Sequence, residues 1–158
     1  MARVLEGLAR AFALAGGAIL VALTLMSVAS IAGRTVLGTP VPGDFELVQV
    51  ACGVSIAAFL PYCQLRRGNI IVDFFTARAG KRVKGALDAL GALALAAVMA
   101  LLAWRTVAGM LTVKASGEVS MIVGFPTWIG YAAIVPSLAL AALVGVATAV
   151  EAWKAARD

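Results

Sequence analysis

The chain has 158 residues, 63% of them hydrophobic and 13% charged, with a formal net charge of +5 and no histidine. A soluble domain carries about 25% charged residues. This composition, with a mean hydropathy of +1.01, therefore excludes an ordinary soluble globule and indicates an integral membrane protein with a single membrane domain. The basic excess does not indicate nucleic acid, because the lysines and arginines flank apolar runs instead of forming a patch interleaved with aromatics.

Residues 1–10 read as a short amphipathic lead carrying Arg3, Glu6 and Arg10. Residues 11–33 hold no charge and are long enough to span a bilayer with some tilt. The run is too long for a cleaved signal core of about 7–15 residues, so a first transmembrane helix that doubles as an uncleaved insertion signal is expected. Gly16, Gly17, Ser27, Ala29 and Ser30 would let a neighbouring helix approach closely. Arg34 ends the run. Pro40, Pro42, Gly38 and Gly43 predict a tight, structured turn over residues 35–43.

Asp44 is expected as the N-cap of the second helix, with Glu46 in its first turn, where carboxylates favour the positive helix end. The membrane-crossing part covers residues 47–65, roughly 28 Å of helix against roughly 30 Å of hydrocarbon. Pro61 lies near its end, where a kink costs little. Cys52 and Cys63 sit about 16 Å apart along this helix. A disulfide needs Cα atoms within about 7 Å, so both read as small apolar filler.

Arg66 and Arg67 close the second helix, Gly68 and Asn69 form a turn, and Asn69 caps the next helical segment. Ile70, Ile71, Phe74 and Phe75 share one arc of roughly 140° on a helical wheel, with Asp73 opposite. That pattern predicts an interfacial amphipathic helix over about residues 69–80, too short to span. Lys81, Arg82 and Lys84 anchor the third helix, over about residues 86–108, at the headgroups. Its uncharged centre lies between Asp88 and Arg105, and Trp104 fits the interfacial aromatic belt. Residues 115–124 form a loop holding Glu118. Pro126 is expected in the first turn of the fourth helix, over about residues 127–150, with Trp128 as an interfacial anchor. Pro136 should kink that helix or free the carbonyl near Ala132. The expected fold is thus all-α, with four transmembrane helices and a short interfacial helix between the second and third.

Charge placement predicts the topology. Arg3, Arg10, Arg66, Arg67, Arg78, Lys81, Arg82, Lys84, Lys154 and Arg157 fall on one side of the four spans; Arg34, Lys114 and Arg105 fall on the other. The richer side faces the cytoplasm, which puts both termini there. Neither a phosphate-cradling glycine loop nor a metal-ligand spacing occurs, and no nucleophile sits beside a base. No enzymatic activity and no cofactor are expected. All four helix centres lack ionisable residues, whereas a self-contained secondary transporter places such groups near mid-depth. The polar signals are interfacial: Arg34, Asp44 and Glu46 on the outer side, Arg66, Arg67, Asn69 and Asp73 on the inner. Two readings stand for them, namely snorkelling and helix capping, or docking to another membrane subunit.

Taken together, the size, the four helices, Arg34, the Pro42-Gly43-Asp44-Phe45-Glu46-Leu47 segment, the Arg67-Gly68-Asn69-Ile70-Ile71-Val72-Asp73 turn, and Phe125-Pro126-Thr127-Trp128 with Pro136 resemble one known family. It is the small membrane subunit, DctQ type, of tripartite ATP-independent periplasmic (TRAP) transporters, and the resemblance covers nearly the whole chain. Asn69 departs from the family, which often has histidine there, so a pH-sensitive role is not carried over while capping is.

The resemblance implies a bacterial inner-membrane location and a large membrane subunit that carries sodium and a carboxylate substrate by an elevator motion. It also implies a periplasmic substrate-binding protein that delivers the substrate, and a small subunit that widens the immobile scaffold among the phospholipids. Two rival readings compete with it. A self-contained homo-oligomeric transporter or channel needs a polar pore ring, which is missing. An anchor for a respiratory enzyme has no histidine here to ligate haem.

Overall fold

The computed structural model describes residues 2–66, 81–155 and 157. Four α-helices run in chain order: α1 (Ala2–Val36), α2 (Asp44–Leu65), α3 (Lys81–Ser116) and α4 (Trp128–Ala155). Each is long and apolar enough to cross a membrane. This is the all-α, four-span architecture that the composition and the uncharged runs predict. The interfacial helix expected over 69–80, with Asn69, Ile70, Ile71, Asp73, Phe74 and Phe75, lies outside the described residues, as does Arg67.

The helices outrun the apolar segments inside them. α1 has 35 residues and α3 has 36, so each is more than 50 Å long at about 1.5 Å per residue, against roughly 30 Å of hydrocarbon. The first ten residues are no separate lead. From Ala2 they already belong to α1, since alanine, leucine, arginine and glutamate are strong helix formers and nothing there breaks the pattern. α3 begins at Lys81, so its basic cluster is helical and Asp88 falls past the first turn. α4 starts at Trp128, two residues after Pro126, and continues without a break through Pro136 to Ala155. Pro126 therefore precedes the helix, and its carbonyl accepts the Ile129 N–H.

The four helices lie in the spatial order α1, α2, α4, α3. α1 and α2 form one antiparallel hairpin, α3 and α4 another, and α2 against α4 joins the two. α1 and α3 thus form the two edges. Small residues line the seams: α4 buries Gly130, Ser137, Ala141, Gly145, Ala149 and Ala152. Leu138, Leu140 and Val144 of α4 are buried among them, but many bulky apolar side chains point outward, among them Leu25 and Ile31 on α1 and Leu90 and Leu101 on α3. The physical reason is the solvent. Lipid tails are as apolar as leucine, so helix association depends on close contact, which small residues permit, and large side chains lose nothing by facing the tails. At the tightest crossing, a Cβ added to Gly145 would lie 2.9 Å from the Ala96 Cβ. Gly16 meets Ala58 in the same way across the α1–α2 seam, at 3.0 Å.

Candidate functional site

The first turn of α2 gathers both inter-helix connections at one end of the molecule. Its N-cap is Gly43, not Asp44: the Gly43 backbone has φ 74°, a left-handed conformation that a residue with a Cβ adopts only with strain, and makes no side-chain cap. A Cβ here would also collide with the Val123 side chain. Asp44 is consequently the first helical residue, and its carboxylate does a different job.

One oxygen, Oδ2, accepts a 2.6 Å hydrogen bond from the Ser30 hydroxyl and lies 3.5 Å from the Arg34 guanidinium. The other, Oδ1, accepts the Phe45 N–H at 2.9 Å, satisfying one of the orphan donors of the first helical turn. The Ser30 hydroxyl also accepts the Val41 N–H at 3.2 Å. Ser30 is fully buried. A single hydroxyl thus joins α1, the connecting loop and the start of α2, with both its donor and an acceptor lone pair engaged. Asp44 is largely covered, with its side chain 19% exposed, whereas the Arg34 side chain is 55% exposed and keeps an open face.

Glu46 turns the other way. Its Oε1 accepts the Ile122 N–H at 3.0 Å and its Oε2 the Val123 N–H at 3.1 Å. These two amides belong to the α3–α4 connection, 76 and 77 residues away in sequence. That connection is itself folded. Val119 bridges Pro126, the Ser120 N–H donates to the Phe125 carbonyl, and the Ser120 hydroxyl accepts the Phe125 N–H. Charge-assisted bonds to paired backbone amides are short and geometrically demanding. Two carboxylates two positions apart therefore fix the α1–α2 loop and the α3–α4 loop to the same helix start. At this end Lys114 also lies over the Trp128 ring, 4.9 Å from its centroid, so the start of α4 is tied to the end of α3.

At the opposite end Arg66 donates to the Tyr62 hydroxyl at 3.1 Å, with its guanidinium 5.4 Å from the ring centroid. The hydrogen bond to Tyr62 raises the Arg66 pKa above its already high ordinary value, so the charge is permanent. Nearby, the buried Gln64 donates to the Thr148 hydroxyl at 3.3 Å, and Thr148 donates to the Gly145 carbonyl at 3.0 Å, linking α2 to α4 inside the bundle. Trp104, on α3, faces outward.

Of the residues singled out by sequence, then, Arg34, Asp44 and Glu46 do meet around one helix start, joined by contacts within the chain. Arg66 lies at the other end. Ser30 carries more than the packing role its small size suggests, and no local pattern marks it, because its partners come from loops. Gln64 was legible in principle as one of two amides, with Gln49, in an uncharged run. None of these groups has the arrangement of a catalytic centre. What they do is hold four membrane-crossing helices in one register.

No curated protein and no solved structure matches the chain significantly. Residues 23–155 match the family model described as "Tripartite ATP-independent periplasmic transporters, DctQ component". The match runs from the middle of α1 to the end of α4 and so includes Arg34, Ser30 and both carboxylates. With its four membrane-crossing helices, the chain is a multi-pass membrane protein that belongs to the DctQ family, the small permease component of TRAP transporters.

Proposed function

We propose that this chain is the fixed, membrane-anchoring part of its transporter. It lies in the bacterial inner membrane with both termini in the cytoplasm and enlarges the scaffold of the large membrane subunit. That partner moves sodium and an organic acid by an elevator motion, and a soluble periplasmic protein delivers the substrate. The observation that carries this reading is the use of charge. The aspartates, glutamates, lysines and arginines sit toward the helix ends, none of them lies within residues 11–33, 47–65, 89–103 or 128–150, and the Asp44 and Glu46 carboxylates are engaged in holding the chain's own loops. A chain that carried an ion would need such groups at mid-depth. On this reading the half-exposed Arg34, together with Arg66, Arg67, Asn69 and Asp73, docks to the large subunit.

The test is reconstitution. The purified chain in liposomes should take up no organic acid on a sodium gradient, whereas the chain with its large subunit and binding protein should. In mild detergent it should also co-purify with a large hydrophobic partner. Uptake by the chain alone, or recovery only as a homo-oligomer, overturns the proposal.

A further inference from the structure

An open cleft of about 390 Å³ lies between the start of α3 and the end of α4, far from the Asp44 cluster, and is lined by Arg82, Ala86, Trp153 and Arg157. Its volume falls in the roughly 300–1,000 Å³ range of small-ligand clefts. Three features give it a chemical character. Arg157 sits over the Trp153 ring, 5.6 Å from its centroid. That contact uses the ring face and leaves the guanidinium N–H donors available. Arg82 is exposed, and among the described residues neither guanidinium meets a carboxylate or a protein hydrogen-bond acceptor. Trp153 is half exposed and stands near the end of a membrane-crossing helix, where tryptophan sits at headgroup level. Ala86 keeps the floor of the cleft small and apolar.

We propose that this cleft binds the phosphate of an anionic phospholipid. Two arginines lining one cleft, Arg82 from α3 and Arg157 from just beyond the end of α4, suit a phosphate, because each guanidinium presents a planar fork of donors to its oxygens. A site made only for a soluble anion gains nothing from Trp153 and Ala86, whereas a lipid places its phosphate at the arginines and its glycerol and upper acyl chain against the apolar floor and ring. Basic pockets between transmembrane helices are a recurrent form of lipid-headgroup site. The α3–α4 pair would then be held in the headgroup layer by a bound lipid as well as by burial. The proposal rests on the membrane placement of the chain and not on the identity of its substrate or large subunit.

The test is native mass spectrometry of the full chain released from detergent micelles after exposure to phosphatidylglycerol, phosphatidylcholine or inorganic phosphate. The wild-type chain should retain phosphatidylglycerol in preference to phosphatidylcholine, and millimolar inorganic phosphate should not displace it. Each basic group near an anionic surface contributes about fivefold, so Arg82→Gln with Arg157→Gln should lower retention about 25-fold. The paired change to lysine should retain an intermediate amount, and Arg105→Gln, on the exposed surface toward the far end of α3, should change nothing. Circular dichroism establishes that each variant keeps its helix content; should the glutamine pair lose it, the lysine pair and Trp153→Ala carry the comparison. Equal retention of the two lipids, unchanged retention by a folded glutamine pair, or displacement by inorganic phosphate would each overturn the proposal, the last by assigning the cleft to a soluble anion.

Discussion

The sharpest structural test concerns Gly145, where α4 crosses α3. A Cβ built there would lie 2.9 Å from the Ala96 Cβ, 3.2 Å from the Ala96 Cα and 3.4 Å from the Ala92 carbonyl oxygen. Two of these neighbours are backbone atoms, so no rotamer change relieves the contact. Non-bonded carbons settle at about 3.5–4.0 Å, and Gly145→Ala must therefore push the two helices apart by about 0.6 Å or more. A gap of that size forfeits about a quarter of each dispersion contact along the seam. Overpacking of this kind costs about 1–3 kcal/mol. Alanine returns about 0.8–1 kcal/mol of helix propensity, leaving a net loss of about 1 kcal/mol.

Gly91 provides the control. It lies within α3, and a Cβ there meets nothing within 4 Å. Gly91→Ala should be neutral or stabilising, by up to about 0.8–1 kcal/mol of propensity. The two variants are compared by equilibrium denaturation of the purified chain in mixed micelles, read by circular dichroism. Gly145→Ala should unfold at lower denaturant than wild type, and Gly91→Ala at the same or higher. If Gly145→Ala is as stable as wild type, or if the two glycines behave alike, the close α3–α4 crossing is wrong as an account of this seam.

Ser30→Ala should destabilise the chain by about 1–2 kcal/mol in the same measurement, because the Val41 N–H loses its acceptor; an unchanged midpoint would refute the three-way junction. Glu46→Ala should speed amide exchange at Ile122 and Val123 while leaving the α1 amides unchanged, and unaltered exchange at those two positions counts against the clamp. For the proposed orientation, single cysteines replacing Thr39 and Ser116 in a chain lacking Cys52 and Cys63 should label from outside intact cells, and one replacing Ala156 should not; labelling at Ala156 reverses the topology.

The membrane class, the number of spans and their order were legible in the sequence because each depends on a local property. An uncharged run has to be about as long as the hydrocarbon is thick, and a helix satisfies its own backbone hydrogen bonds whatever its neighbours do. The family resemblance rests on local segments as well, and the match over residues 23–155 agrees with it. Boundaries were less legible. α1 and α3 continue into their basic flanks because helix propensity does not stop where hydrophobicity does. Asp44 looked like a cap from residue type, yet Gly43 occupies that position because only the neighbouring turn requires a left-handed backbone.

What the tertiary structure alone decided is which polar group meets which. Asp44 and Glu46 stand two positions apart on one turn. Sequence offers no reason for one to reach back 14 residues to Ser30 and the other forward 76 residues to Ile122. The order α1, α2, α4, α3 and the joining of α2 to α4 were equally hidden, since every helix carries small residues that could line a seam. Hydrophobicity puts a helix in the membrane but gives it no preference among apolar surroundings. Neighbours are chosen by close fit and by a few directional hydrogen bonds, and those exist only once the helices have met.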